Sequence, residues 1–229
     1  MTIGILICDE FKSEYVEAFG TYPSMFANLL PEVNQKVYLA CNNDLPSSPH
    51  ECDAWIISGS RSSVYNDDPW ITELMNLVRT IDQEEVPCVG ICFGHQLIAE
   101  SLGGKVQKAS VGWCVGIHHY EMVQQMEWMN PQTQNLRLLM MCQDQVVSLP
   151  KRAQILARSE DAPVAMYSIS QHMLGVQGHP EFSKSYVRTL IQNRKDRISH
   201  ERSIRGLASL EEDHDRDIIR QWIYRYINK

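Results

Sequence analysis

No run of about 18 consecutive apolar residues occurs in this 229-residue chain, so no membrane-crossing helix is expected. Basic charge is also scarce. Lys and Arg number 21 against 28 Asp and Glu, a net charge of −7. That balance gives no general attraction for nucleic acid or an anionic membrane surface, and neither is expected as a partner. The N-terminus has no basic stretch followed by an apolar core and a cleavage site, so no signal peptide is expected. The seven cysteines contain no C-x-x-C pair. Their odd number and irregular spacing argue against a disulfide framework and for free thiols in a reducing cytoplasm. Metal-ligand spacing is missing as well. His118 and His119 are adjacent on an expected strand, where neighbours face opposite ways, and His50 with Cys52 has no second pair at zinc spacing. No metal and no cofactor are expected. No G-x-x-x-x-G-K-[ST] sequence is present, so no P-loop nucleotide site is expected either.

What the chain does have is enough apolar material, 44% of its residues, to bury a sizeable core. The first half alternates strand and helix patterns. Expected strands are Ile3 to Cys8, Gln35 to Cys41, Asp53 to Ser58 and Val86 to Ile91. Expected helices cover Glu14 to Leu30 (interrupted at Gly20 and Pro23), Pro69 to about Gln83, and Gly94 to Leu102. Such alternation implies an α/β, three-layer, mostly parallel doubly wound sheet. From residue 105 to 176 the pattern changes to short strands: Val115 to Val123, Leu136 to Met141, Gln145 to Leu149, Gln154 to Ala157 and Val164 to Ile169. These read as a smaller β-rich portion. Residues 183–229 read as a C-terminal helical extension, Ser183 to Glu201 and Leu210 to Ile227, packed on a domain of residues 1–182. The basic residues Lys184, Arg188, Arg194, Lys195 and Arg197 are interleaved with acids and read as a solvated face.

The chemistry-bearing segment is Gly90-Ile91-Cys92-Phe93-Gly94-His95-Gln96. A cysteine between two glycines, after an apolar strand and before a helix, has the pattern of a nucleophile elbow. The turn is tight enough that side chains at 90 and 94 would strike neighbouring backbone. The sulfur would stand at the carboxyl edge of the sheet, where doubly wound sheets bind ligands. The free N–H groups and positive end of the new helix would favour thiolate there. The competing reading is a small-residue turn around a buried cysteine.

A second motif begins 87 residues later, where Gly175-Val176-Gln177-Gly178-His179-Pro180-Glu181 follows an apolar strand. A thiol nucleophile needs a base, and the base needs an orienting group. His179 supplies an imidazole, Glu181 a carboxylate to hold its tautomer, and Pro180 a stiff spacing between them.

Together these two motifs resemble the class I, or triad, glutamine amidotransferase family, nearest to the glutaminase domain of GMP synthase and its stand-alone relatives. The resemblance implies cleavage of the γ-amide of glutamine or a γ-glutamyl compound by Cys92, His179 and Glu181. It makes the backbone N–H groups of Phe93 and Ser60 the oxyanion donors. Ser60 falls where the family's loop has its second glycine, after Gly59; taken alone, Ser58 to Val64 reads as an ordinary loop. Gln96 matches a substrate-holding glutamine, and otherwise reads as a plain helix residue. Met140 to Pro150 resembles the family's His-Gly-Asp-x-Val-x-x-(Leu/Ile)-Pro element, with Met141 and Gln143 as implied substrate contacts. Cys142 and Gln143 stand in place of its His and Gly, which bears on substrate choice; Asp144 also reads as purely structural.

The resemblance implies a small-molecule substrate and, for ammonia transfer, a synthase partner in trans. A γ-glutamyl peptidase without such a partner, and a non-catalytic binding protein on the same fold, are the alternative readings.

Overall fold

The computed structural model describes residues 1–228. Short apolar runs form strands β1 (Thr2–Leu6), β3 (Ala54–Ile57), β4 (Cys88–Ile91) and β11 (Met173–Val176), and β2 (Asn34–Tyr38) lies at the edge. With their intervening helices they pair in parallel, in the order β2-β1-β3-β4-β11. Period-2 alternation sorts their side chains into two layers. Ile3 and Ile5 of β1, Ile56 of β3 and Val89 and Ile91 of β4 share one core with helices α2 (Tyr22–Leu29) and α7 (Arg216–Ile227). Leu6, Trp55, Ile57 and Cys88 point the other way, into a core with α3 (Pro69–Gln83) and α4 (Phe93–Ser101). Helices on both faces of a parallel sheet make the three-layer α/β architecture.

The short strands of the second half continue this same sheet. Strands β6 (Cys114–Met122), β7 (Asn135–Cys142), β9 (Ala153–Arg158) and β10 (Met166–Ile169) extend it antiparallel beyond β11, completing nine strands ordered β2-β1-β3-β4-β11-β10-β9-β6-β7. Outside it, β5 (Lys105–Lys108) and β8 (Asp144–Ser148) form a two-stranded ribbon. Strand β5 lies outside the strands expected from sequence because only Val106 of its four residues is buried.

The stretch from Glu14 to Leu30 divides into α1 (Ser13–Phe19) and α2, where Thr21 and Ser24 close a capping box. The stretch from Ser183 to Glu201 divides as well. Helix α5 (Lys184–Asn193) stops, the chain turns with Ile198 N–H bonded to the Arg194 carbonyl, and Ser199 caps α6 (His200–Ser209). The buried Ile198 anchors this turn. Helix α7 begins only at Arg216, after the capping residue Asp215.

Helix α7 belongs to the core rather than lying over it. Ile219, Trp222, Ile223, Tyr226 and Ile227 are buried with the strand residues. Trp222 is fully buried, and its indole N–H donates to the Pro131 carbonyl at 2.9 Å. Truncation there removes a large packed ring and orphans that carbonyl. We expect Trp222→Ala to cost about 3–5 kcal/mol, read as a fall in the urea midpoint. A loss below about 1 kcal/mol would contradict this packing.

Candidate active site

Strand β4 runs into α4 through one residue, Cys92, whose φ is 52° and ψ −99°. A non-glycine residue held there stores about 1–3 kcal/mol of strain, so its surroundings must fix it. They do so from both flanking strands. Cys92 N–H donates to the Val176 carbonyl at 2.9 Å, and Gly94 N–H to the Ser58 carbonyl at 3.2 Å. The glycines follow from the closeness of this approach. A Cβ at Gly90 would lie 2.3 Å from the Gly94 carbonyl oxygen, and one at Gly94 2.4 Å from that of Ile57. Cys92 therefore sits at the carboxyl edge of the parallel strands, at the N-terminus of α4.

The chain leaves β11 beside it. Register pairs Val176 with Ile91, so residues 177–181 emerge next to the elbow. His179 N–H donates to the Leu139 carbonyl at 2.7 Å, and its ring stacks on Phe182 with centroids 4.0 Å apart. Its Nδ1 lies 2.7 Å from Glu181 Oε1. Both side chains are buried. From the far side, Arg216 at the start of α7 donates to the Pro180 carbonyl at 3.0 Å, so the C-terminal helix steadies this loop.

The Ser58 to Val64 loop, leaving β3, passes over the same place. A Cβ on Gly59 would come within 2.8 Å of His179 Cε1, which explains a glycine there. Ser60, Gln96, Met141 and Gln143 border one cavity of about 110 Å³ together with Cys92. Gly59 borders a smaller adjoining one with Cys92 and His179. Phe93 keeps its side chain in the core against Trp70, so only its backbone N–H is available to the site. That N–H is among the four that a helix start leaves without intrahelical acceptors. Gln96 donates to the Asp144 carbonyl at 2.7 Å and to Gln177 Oε1 at 3.2 Å. Asp144 accepts from Ser63 and Tyr65, tying the loop after β3 to the turn before β8. His95, the other histidine of the elbow, is buried in the core beside Tyr167; burial pushes it down to about 3, which leaves it neutral.

With this geometry in place, comparison with known proteins is informative. The sequence model described as glutamine amidotransferase class-I matches residues 16–195. The chain belongs to the class I glutamine amidotransferase family. A γ-glutamyl peptidase 5 of Arabidopsis thaliana is 32% identical over 184 residues, 76% of this chain and 73% of that one. The glutamine-hydrolysing component of a GMP synthase from Pyrococcus abyssi is 36% identical over 106 residues, 46% of this chain and 56% of the other. A solved glutamine amidotransferase of Thermotoga maritima superposes with a TM-score of 0.78, covering 99% of both chains at 20% identity.

In this family member the electrostatics of the elbow have an unusual contributor. Cys142 stands where the resemblance implies a histidine. It is fully buried, it borders the cavity with Cys92, and it lies in register with Cys114 across β6 and β7. Cys142 and Cys114 were not among the site residues read from sequence. The Cys142 thiol stays protonated, its acidity pushed far down by Cys114, Cys92 and burial. It therefore serves as a donor toward Cys92. That donor is the largest influence on Cys92; burial opposes it, and the His179 charge adds to it, bringing the Cys92 thiol down to about 5. Burial works against charge on His179, but Glu181 and then Cys92 outweigh it and raise the imidazole to about 10. Near neutral pH the site is then a thiolate–imidazolium pair.

The sign of the pH dependence follows. A lowered thiol pKa means thiolate accumulates above it, so alkylation of Cys92 rises through about pH 5 and is flat to neutrality. We expect iodoacetamide labelling of the Cys92 peptide, followed by mass spectrometry, to show that midpoint. Cys142→Ala moves it up toward the ordinary thiol value of about 8.5. Cys142→Ser, which keeps a donor, moves it less. An unchanged midpoint in Cys142→Ala would refute the donor role.

Proposed function

We propose that this chain is a cysteine amidohydrolase that cleaves the γ-amide of glutamine or a γ-glutamyl compound through a thioester on Cys92. The observation that carries this reading is the buried His179–Glu181 pair set beside a strained elbow cysteine with a lowered thiol pKa. The Cys92 thiolate attacks the γ-carbonyl carbon, and its oxygen becomes an oxyanion held by the N–H groups of Phe93 and Ser60. The His179 imidazolium gives its proton to the departing amine nitrogen as the C–N bond breaks. The neutral imidazole then takes a proton from water, whose oxygen attacks the thioester; glutamate leaves and the thiolate returns. Glu181 holds Nδ1–H and so aims Nε2 at the chemistry. Gly59, Gln96, Met141 and Gln143 bind the glutamyl part.

Two fates for the nitrogen are compatible with this chemistry. The similarity to γ-glutamyl peptidases over 76% of the chain favours hydrolysis of γ-glutamyl peptides without a partner. Transfer of ammonia to a synthase in trans is the second reading, supported by the similarity to a GMP synthase component. A non-catalytic role is disfavoured by the completeness of the Cys92, His179 and Glu181 set. Seven free thiols support a cytoplasmic location, and no described helix is long and apolar enough to cross a membrane.

The test is glutamate release from a panel of glutamine and γ-glutamyl peptides. Cys92→Ala is expected to abolish it, and Glu181→Gln to lower kcat about 10²–10⁴-fold with a smaller change in KM. Wild-type rates in Cys92→Ala would sink the proposal.

A further inference from the structure

Beyond the elbow, the cavity wall has a charge opposite to that of the protein. Lys108 at the end of β5, Arg194 and Arg197 in the turn after α5, and Arg61 in the loop after β3 all border the space that holds Cys92. These come from segments far apart in sequence, and the fold gathers them at one mouth. Arg61 is already engaged, since it grips the Asp9 carboxylate through Nε and Nη2 at 2.7–3.0 Å. The other three have no carboxylate partner among the described residues. The cavity's single acidic side chain, Asp144, is occupied by Ser63 and Tyr65. Asp196 and Glu10 border an adjoining cavity that Arg194 and Arg197 also line, and neither pairs with these arginines.

The arginines are held in place without being neutralised. The Trp113 ring, just before β6, carries Arg194 at 5.6 Å and Arg197 at 5.3 Å from its centroid. A cation–π contact fixes position but leaves the charge uncompensated. Burial, together with repulsion from Arg197 and Arg61, lowers the Arg194 pKa, while Tyr22 and Tyr186 oppose that shift. Keeping several like charges close in a protein of net charge −7 costs free energy unless an anion is bound there. Guanidinium forks match the geometry of a carboxylate, and Lys108 adds a point charge.

We infer that Lys108, Arg194 and Arg197 form a subsite for an anionic leaving group, so that the preferred substrate is a γ-glutamyl peptide whose departing amine carries a free carboxylate. This rests on the reading of the site as a γ-glutamyl amidohydrolase and narrows it. Glutamine, whose departing group is ammonia, leaves these charges unused.

The experiment compares γ-glutamyl-alanine with γ-glutamyl-alaninamide, which share the glutamyl part and differ in the carboxylate. Alaninamide is the better leaving group, so intrinsic reactivity favours the neutral substrate and any preference for the acid comes from the protein. We expect kcat/KM for the acid to exceed that for the amide by about tenfold or more, the size of one charge-assisted contact. Arg197→Gln combined with Lys108→Gln is expected to bring that ratio toward one, and 0.5 M salt to reduce it. A wild-type ratio of one or below overturns the subsite. A ratio that persists in the double variant, or equal losses on both substrates, overturns its assignment to the leaving group, because the cations would then hold nothing or the shared glutamyl part. If neither compound releases glutamate, the amidohydrolase reading fails, and with it the subsite built on it.

Discussion

The backbone of Cys92 is the constraint on which the rest depends. A residue at φ 52° cannot continue a strand or start a helix without outside support. The support comes from Val176 on one side and Ser58 on the other, both carbonyls at the carboxyl ends of neighbouring parallel strands. The bonds that hold the elbow therefore also fix where the loops after β3 and β11 begin. One loop carries Gly59 and Ser60, and the other carries His179 and Glu181. Parallel register turns a local conformational problem into the convergence of three segments. The glycines at 90 and 94 are the positions where backbone passes too close for any side chain.

Low dielectric surroundings then decide the protonation states. Burial alone would keep Cys92 a thiol and His179 neutral; both tendencies are present and both are overcome. Glu181 supplies the charge that holds the imidazolium, and Cys142 supplies a donor to the thiolate. The pair stabilises itself, because each charge is the other's neighbour. Supports further out keep this geometry: Phe182 stacked on the imidazole, Arg216 on the Pro180 carbonyl, and the Asp144 clamp between the β3 loop and the β8 turn.

Much of this was legible in the sequence because it is local. The elbow heptad and His179-Pro180-Glu181 each contain their own geometric requirements within a few residues. The parallel half was legible from apolar runs separated by helical patterns. The rest is non-local. Nothing along the chain says that Cys142 will face Cys92, since that contact depends on β7 joining the sheet beyond β11, β10, β9 and β6. The strands after residue 105 gave no sign that they extend one sheet, because antiparallel pairing leaves no mark on the order of elements. Arg194 and Arg197 read as a solvated face because their spacing suited one continuous helix. The break after Asn193 and the turn at Ile198 put them over Trp113 instead.

The chemistry and the mouth divide the labour of the site. The elbow, the imidazole and the oxyanion donors are indifferent to what departs with the nitrogen. The cationic wall reads that departing group. The central claim is that all substrates pass through one γ-glutamyl thioester on Cys92. The most direct measurement is partitioning: hydrolysis of glutamine and of γ-glutamyl peptides in the presence of hydroxylamine, with γ-glutamyl hydroxamate and glutamate counted together. A common acyl-enzyme predicts the same hydroxamate-to-glutamate ratio whatever the leaving group, with both products absent in Cys92→Ala. A ratio that changes with the leaving group, or product formed without Cys92, would contradict the account.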